Sequence, residues 1–485
     1  MIGLDVGTSA VKGVLLGESG ALASGRRGYR LEIGADGRVE LDADIVWRAV
    51  RSVIRSFAAT SREDGHAVVA VCCGGSGDEA VWLDEHDRPV APVPMALDRR
   101  SDADGRALVE AVGLSAFTEG TGLPASGSYP LARLAWLTRT APATASRVRR
   151  LLAWPEFVAL RLGVEPFAEP TLAARSAAYD VRQGQWDRHL LDAAGAASSP
   201  LPRLGGSGAV AGTIPAEVAV PLGLDGGVAV VAGGFDQAMA TRGAGVVGPG
   251  VAHLGTGSWE AVTVLADRPR FDLVTRGFSV GPSIDAGALW SVLKSWPGAT
   301  RLGWLAGFAS FVPGSRRTSD VDVRRALDAA RRASDSPTGV ITAPGVIAGL
   351  RLDVDAGLLA RAVLEGVAFD AADALDDLAD IGLVVHEVRI TGGGAADPRW
   401  VQLRADVLGV PIVGVLPRDA GVSAAAALAW TAVVGDAAVE TVLARLVRHD
   451  PPVEPRGDRT EGYAELRARG GVLKQALRGH ADETG

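Results

Sequence analysis

Cysteine and lysine are scarce in this chain of 485 residues. The 2 cysteines, Cys72 and Cys73, are adjacent, and neighbours on a strand point to opposite faces, so an unstrained disulfide cannot join them. We expect both to be buried thiols in a reducing compartment, the cytoplasm. Lysine occurs only at Lys12, Lys294 and Lys474, so almost all positive charge is arginine.

The sequence also lacks metal-binding, membrane-spanning and strongly basic patterns. Its 7 histidines and 2 cysteines show none of the paired spacings that bind zinc. No apolar run reaches the roughly 18 residues of a membrane span, and no basic leader precedes the first strand. A net charge of −8 gives no reason to expect a nucleic-acid partner. The composition, 47% hydrophobic, is that of a globular protein, and the length predicts two domains.

The most informative stretch lies in the middle of the chain, over residues 228–258. Its apolar start, 228–232, predicts a buried parallel strand that two glycines end, and Asp236 follows. Ligands of open α/β sheets bind at the carboxyl ends of such strands. A second strand ends in residues 255–258, Gly-Thr-Gly-Ser, whose amides and hydroxyls suit a phosphate. The pair indicates phosphoryl transfer, although two glycines before an aspartate also form ordinary turns.

The N-terminus is predicted to form a strand, a tight turn and a second strand. Asp5 ends the first strand, and Thr8, Ser9 and Lys12 surround the turn. A hairpin tip of this kind can hold nucleotide phosphates through amides, hydroxyls and an ammonium group. A plain hairpin with an Asx turn explains the same residues.

Helix and loop signals in the remaining chain are less specific. Asp44 is the predicted N-cap of a helix that continues to Phe57. Residues 147–162 are predicted to be helical, and residues 203–227 to be a connection rich in glycine and proline. Beyond Ser258 the sequence predicts irregular structure.

Three glycine-rich turns, each after a predicted buried strand, follow one another along the chain at residues 5–8, 255–258 and 391–394. Together with the segments 233–237 (GGFDQ) and 361–369 (RAVLEGVAF), their order resembles the FGGY family of carbohydrate kinases, the relatives of xylulokinase and glycerol kinase. The resemblance covers nearly the whole chain.

The resemblance implies an α/β fold of two ribonuclease H-like (actin-like ATPase) domains with an interdomain catalytic cleft. Residues 1–243 would form the N-terminal domain, with the sugar side, the first phosphate hairpin and the catalytic aspartate. Residues 244–485 would form the C-terminal domain, which binds the nucleotide.

Position by position, the resemblance also implies residue roles. Asp236 would be the base for the sugar hydroxyl, and Asp5 and Asp236 would hold Mg²⁺. ATP would be bound by Thr8, Ser9, Lys12, Gly255, Thr256, Gly393 and Gly394. The substrate would be bound by Ser76, Gly77, Asp78, Asp236 and Gln237.

The chain departs from the family near the substrate. Asp78 aligns with a sugar-contacting histidine of xylulokinases or a glutamate of glycerol kinases, and a turn cap is its ordinary alternative. A GERxP-containing loop is missing between Pro344 and Gly349, which leaves its effect on nucleotide or substrate choice open.

A ketopentose, as in xylulokinases, is the leading substrate. Other ketoses, deoxyketoses and short polyols remain open, and Trp259-Glu260 is reminiscent of deoxysugar kinases such as fuculokinase. The alternative outside the enzymes is a catalytically silent sugar-binding regulator. The implied partners are a sugar or polyol and ATP, without nucleic acid or membrane, and a homodimer is left open.

Overall fold

The computed structural model of the protein describes residues 1–34, 36–196, 201–284, 289–309, 320–343 and 346–484. The chain forms two compact units. The first comprises Met1–Gly248, Leu265–Val292 and Asp419–Arg448, and the second comprises Pro249–Val264, Leu293–Arg418 and His449–Gly485. Because the chain returns twice to the first unit, neither unit is one continuous segment. The predicted domains, residues 1–243 and 244–485, stay a prediction.

The strands, in chain order, are β1 (Ile2–Val6), β2 (Ala10–Gly17), β3 (Gly20–Gly28), β4 (Glu32–Ile33), β5 (Val39–Leu41), β6 (Ala70–Gly75), β7 (Val81–Leu83), β8 (Val93–Pro94), β9 (Arg150–Leu152), β10 (Phe167–Ala168), β11 (Tyr179–Asp180), β12 (Gln185–Trp186), β13 (Arg203–Leu204), β14 (Val210–Thr213), β15 (Ala229–Phe235), β16 (Val251–Thr256), β17 (Trp259–Ala266), β18 (Ser279–Pro282), β19 (Trp290–Pro297), β20 (Ile341–Ala343), β21 (Val346–Ala348), β22 (Glu387–Gly392), β23 (Ile412–Leu416) and β24 (Arg448–His449).

The α-helices are α1 (Ala43–Glu63), α2 (Asp102–Val112), α3 (Leu114–Thr121), α4 (Pro130–Thr140), α5 (Pro142–Ala145), α6 (Trp154–Arg161), α7 (Pro170–Ala173), α8 (Arg188–Ala193), α9 (Ala216–Leu222), α10 (Asp236–Gly243), α11 (Ala299–Ala309), α12 (Asp320–Arg332), α13 (Ala356–Ala379), α14 (Pro398–Leu408), α15 (Ala420–Val433), α16 (Val439–Leu446) and α17 (Gly457–Thr484). Short 3₁₀ helices span Ala174–Ser176, Phe271–Arg276 and Gly393–Ala396.

The first unit is built on a six-stranded sheet in the order β14-β15-β6-β1-β2-β3. β1 is antiparallel to β2 and parallel to β6, and β6 is parallel to β15. Side chains alternate between its faces. Leu4 and Val11 pack with Phe57 of α1 on one face, whereas Val14 and Cys72 pack with α10 and α15 on the other. The helix α15 therefore completes the core of the first unit although it lies late in the sequence.

The second unit repeats this strand pattern. Its strands β17, β16, β22 and β23 are neighbours in that order, with β16 antiparallel to β17 and parallel to β22, and β22 parallel to β23. The same directions relate β2, β1, β6 and β15. The predicted α/β fold with two similar halves is confirmed. The helices α13 and α14 pack together around Phe369 and Leu403 beside Tyr463 of α17.

Several local predictions were wrong. The N-cap of α1 is Asp42, which accepts a hydrogen bond from the amide of Asp44 at 2.7 Å. The predicted helix over 147–162 is a strand, β9, followed by α6, because β9 pairs with β7, and Pro155 suits the first turn of a new helix. Tertiary pairing therefore overrides the local helical pattern here.

The two predicted irregular stretches are also structured. Residues 203–227 contain β13, β14 and α9, and β17 begins directly after Ser258. Residues 344 and 345, where the shortened loop was predicted, lie outside the described residues. Cys72 and Cys73 are buried free thiols, as predicted. Across the described ranges, every helix is too short or too polar to cross a membrane.

Candidate active site

Asp236 begins α10 directly after β15 ends at Phe235, so a carboxylate follows the carboxyl end of a parallel strand. The pairing of β15 with β6 shifts register between Ala232 and Phe235. This irregularity redirects the chain into the helix. Oδ1 of Asp236 and Oε1 of Gln237 are buried and have no hydrogen-bond partner among the described residues.

The end of β15 is tightly packed at Gly233 and Gly234, so the strand continues through the two glycines that were predicted to end it. A Cβ atom at Gly233 would lie 2.2 Å from the carbonyl oxygen of Cys73. At Gly234 it would lie 2.4 Å from Cδ1 of Ile284 and 2.8 Å from Oγ1 of Thr171. A side chain at either position would therefore displace the backbone that carries Asp236.

Asp5 and Lys12 are direct partners across the β1–β2 hairpin. The Lys12 ammonium donates to Oδ1 of Asp419 at 2.6 Å, and Asp419 immediately precedes α15. Oδ1 of Asp5, in contrast, is buried and has no hydrogen-bond partner in the described ranges. The hairpin thus presents an acid without a partner beside a paired ammonium group.

Thr8 and Ser9 lie in the turn of this hairpin. The amide of Gly7 donates to the carbonyl of Ala10 at 3.1 Å, and the amide of Tyr29 donates to the carbonyl of Ser9 at 3.0 Å. Thr8 is half-buried and Ser9 is exposed. Because backbone bonds fix the turn, its side-chain hydroxyls can serve a ligand.

The glycine-rich turn after β6 is held by a buried acid. The Ser76 hydroxyl donates to Glu79, and the amide of Ala96 donates to Oε1 of Glu79 at 3.1 Å. Glu79 is fully buried, and burial raises its pKa although Arg133 opposes the shift. The predicted substrate residue Ser76 therefore uses its hydroxyl proton within the protein.

Asp78 forms an ion pair with Arg175, a residue that the sequence analysis missed. Nε and Nη2 of Arg175 lie 2.8 and 2.7 Å from Oδ1 of Asp78. Nη1 donates to the Ser279 hydroxyl at 2.9 Å, and Cζ lies 5.1 Å from the ring centroid of Phe235. A Cβ atom at Gly77 would come within 2.8 Å of Cγ of Arg175. The only signal in the sequence was one arginine in the small apolar run 172–178.

The acids of the first unit share one electrostatic environment. Burial and the carboxylates of Asp5, Asp78 and Glu79 raise the pKa of Asp236 to about 8. Burial also raises the pKa of Asp5 to about 6, although Lys12 opposes the shift. Raised values mean that the charged forms lack compensating partners, which a bound cation would supply.

Four of the seven predicted nucleotide residues lie at the carboxyl edge of the second sheet, whereas Thr8, Ser9 and Lys12 belong to the hairpin of the first unit. Gly255 and Thr256 end β16, and Gly393 and Gly394 follow its parallel neighbour β22. Oγ1 of Thr256 donates to the carbonyl of Thr391 at 2.5 Å. A Cβ atom at Gly394 would lie 2.9 Å from that hydroxyl, whereas the space around Gly393 is open to 4 Å.

Glu260, in the second unit, is engaged in a buried ion pair. It is 3% exposed and accepts a hydrogen bond from Nη2 of Arg404. The Arg404 guanidinium lies 4.2 Å from the ring centroid of Trp400. Burial raises the pKa of Glu260, and Arg404 opposes the shift. The side chain that is reminiscent of deoxysugar kinases is therefore enclosed in the protein.

The repeated strand pattern, the buried acids and the glycine turns define a kinase of the actin-like ATPase fold. Comparison with known proteins agrees: residues 1–243 match the N-terminal domain of the FGGY family of carbohydrate kinases, and residues 329–433 match its C-terminal domain. The chain belongs to this family. It is a carbohydrate kinase, and its cofactors are ATP and Mg²⁺.

Individual relatives differ in their substrates. The chain is 24% identical over 424 residues to the xylulose kinase of Lactococcus lactis, covering 84% of this chain and 82% of the relative. It is 25% identical over 465 residues to the glycerol kinase of Bordetella parapertussis, covering 89% and 88%. The gluconate kinase structure from Lactobacillus acidophilus superimposes with a TM-score of 0.84 at 22% identity, covering 98% of this chain and 97% of that one.

Proposed function

We propose that this kinase phosphorylates a hydroxyl group of a neutral ketose or polyol, with a ketopentose such as xylulose as the leading substrate. The observation that carries the proposal is the crowding of acids around Asp236. Its neighbours Asp5, Asp78 and Glu79 are all carboxylates. The nearby cations Arg175 and Lys12 are already paired with Asp78 and Asp419.

This electrostatic environment favours a neutral substrate over an aldonate. A substrate carboxylate would face these acids while Arg175 and Lys12 are already paired, and like charges brought together cost several kcal/mol. Hydroxyl groups, in contrast, donate well to carboxylates. Glu260 is buried beside Arg404, so we assign it no contact with the substrate, and a deoxyketose is tested alongside the ketopentose.

Asp236 is proposed as the general base. It lies at the start of a helix behind two glycines, and its pKa of about 8 is close to the working pH, which suits proton abstraction from a hydroxyl. Gln237, with its buried and unpartnered Oε1, would accept a hydrogen bond from another substrate hydroxyl. Because phosphoryl transfer depends mainly on alignment and charge stabilisation, fixed backbone at this turn contributes directly to the rate.

The residues present fit the two cofactors. The buried carboxylate oxygens of Asp5 and Asp236 are the hard oxygen ligands that Mg²⁺ prefers. Mg²⁺ supplies charge neutralisation at the phosphate oxygens when bound. The hydroxyls of Thr8 and Ser9 would donate to phosphates. On the nucleotide side, the open space around Gly393 would admit the adenosine closely, and Gly255 and Thr256 at the end of β16 would lie beside the phosphates.

The proposal is tested by measuring ADP release by the full chain with Mg-ATP and a panel of acceptors. The panel contains xylulose, a deoxyketose, glycerol and gluconate, with a reaction lacking acceptor as the background. We expect the highest kcat/KM for the ketopentose. The kcat/KM for gluconate should be lower by at least about a hundredfold. A preference for gluconate would refute the neutral substrate. Binding of a sugar without transfer to any acceptor would favour the silent regulator instead.

The homodimer stays a prediction, which light scattering in solution would check.

A further inference from the structure

A series of buried hydrogen bonds leads from Glu169 to the end of β15, which directly precedes Asp236. Oε2 of Glu169 accepts from the amide of Thr171 at 2.9 Å and from its hydroxyl at 2.5 Å. Oε1 accepts from the Ser207 hydroxyl at 2.5 Å. Because the Thr171 hydroxyl gives its proton to Glu169, its oxygen is oriented to accept, and the amide of Phe235 donates to it at 2.9 Å.

This series of hydrogen bonds ends at a backbone position where the strand pairing is irregular. Phe235 is the last residue of β15 and directly precedes Asp236, and the pairing with β6 is irregular at this point. The missing side chain at Gly234 allows the approach, because a Cβ atom there would lie 2.8 Å from Oγ1 of Thr171 and 3.1 Å from Oε2 of Glu169. Glu169 and Thr171 are only 1% and 3% exposed, so water does not compete with these bonds.

We propose that Glu169 and Thr171 are positioning residues that hold Asp236 in its reactive orientation through the amide of Phe235. The proposal rests on the proposed role of Asp236 as the base. Neither residue touches the reacting groups in this account. Glu169 orients the Thr171 hydroxyl, and the hydroxyl fixes the last peptide before α10, on which the direction of the Asp236 side chain depends. Displacement of a reacting group by about 1 Å can cost about a hundredfold in rate.

The first test compares Thr171→Val with Thr171→Ser. Valine keeps the shape of threonine but cannot accept the Phe235 amide, whereas serine keeps the hydroxyl. We expect Thr171→Val to lower kcat by about 10- to 100-fold, with the KM values for sugar and ATP changed by only a few-fold. Thr171→Ser should restore most of kcat. Thermal unfolding verifies that each variant is folded, and Thr171→Ala replaces the valine variant if that one does not fold.

Thr118→Val is the matched control. Thr118 is 7% exposed and its hydroxyl donates to the carbonyl of Leu114 at 2.9 Å within α3, so this change also removes a hydrogen bond of a buried threonine and should leave kcat unchanged. Parent kcat in Thr171→Val, or no recovery in Thr171→Ser, would refute the positioning role.

A double substitution separates this proposal from the proposed function. If Thr171 acts through Asp236, Thr171→Val should cost little further rate in an Asp236→Asn protein. An equal loss in both backgrounds would show that Thr171 acts independently of Asp236 and would overturn the proposal. Parent activity in Asp236→Asn alone would instead refute the role of Asp236 as the base, whatever Thr171 does.

Discussion

The two units contain carboxylates with buried oxygen atoms in opposite situations. In the first unit, Asp5 and Asp236 form no ion pair among the described residues, and their pKa values are raised to about 6 and about 8. In the second unit, Glu260 forms an ion pair with Arg404, and the Arg404 guanidinium stacks on the ring of Trp400. A buried acid without a cation costs folding free energy, and such groups concentrate at functional sites. The comparison therefore contrasts two acids proposed to act in catalysis with one that an arginine holds in the structure. Burial without a cation does not by itself mark a catalytic acid, since burial also raises the pKa of Glu156 to about 8.

The largest expected effect is on the rate of the Asp236→Asn variant. Asparagine keeps the shape and can still hydrogen-bond a sugar hydroxyl, but it is not a base. We expect kcat to fall by about 10² to 10⁴-fold, because this is the usual contribution of general-base catalysis. Sugar affinity should change by only a few-fold. Stability should not fall, since the amide removes the free-energy cost of ionising a carboxyl group that has no ion pair among the described residues.

Steady-state kinetics and urea unfolding measure both quantities on the same protein. Asp5→Asn is the companion variant and should impair the use of Mg-ATP more than sugar binding. A large loss of stability in Asp236→Asn would erase the distinction between the two kinds of buried acid.

Glu260→Gln should show the reverse behaviour. Removing one member of a buried ion pair leaves the other charge uncompensated, which typically costs about 3–5 kcal/mol of unfolding free energy. Urea unfolding should show this loss. The double variant Glu260→Met with Arg404→Met should recover most of it, because it leaves no unpaired charge. Unchanged stability in Glu260→Gln would mean that the ion pair with Arg404 does not contribute to the free energy of unfolding.

An intermediate effect is expected for Asp78→Ala. The substitution removes the partner of Arg175 and a candidate acceptor for the sugar at once. The loss of a charged hydrogen bond is worth about 1.5–3 kcal/mol, so the KM for the sugar should rise by about tenfold to a hundredfold while the KM for ATP stays nearly constant. Asp187→Ala removes a helix cap elsewhere and serves as the control. A sugar KM equal to that of the parent would remove Asp78 from the substrate site.

The last prediction concerns the pH dependence of the unfolding free energy, which a structural acid of the first unit influences. Burial raises the pKa of Glu156 from 4.5 to about 8, and its carboxyl group accepts the amide of Ala153 at 2.8 Å. A raised folded-state pKa stabilises the protein fully below pH 4.5, and this contribution disappears as the pH rises to about 8. Glu156→Gln should therefore flatten the fall in unfolding free energy between pH 5 and pH 8 by up to about 3 kcal/mol. Urea unfolding at several pH values checks this, and an unchanged slope would contradict it.

Local sequence predicted the parts of the site that depend on neighbouring residues. The apolar run predicted the strand in front of Asp236, and the hairpin around Thr8 followed from alternation and turn chemistry. The turn expected at the two glycines does not form, because β15 continues through them to Phe235. Predictions failed where a distant segment decided the outcome. The strand β9 forms because β7 pairs with it, although the sequence over 147–162 has a helical pattern.

The sequence by itself determined the repeated α/β halves and the order of the glycine turns, because apolar periodicity and turn residues act over a few neighbouring positions. It determined the family through the resemblance of its motifs to those of known kinases. Only the tertiary structure decided the partners of the charged groups. Arg175 is 97 residues from Asp78, and Asp419 is 407 residues from Lys12, yet both pairs are in direct contact. The burial that raises the pKa of Asp236 likewise depends on residues far apart in the chain. Pairing and desolvation depend on distances in space, which the local pattern of residues does not specify.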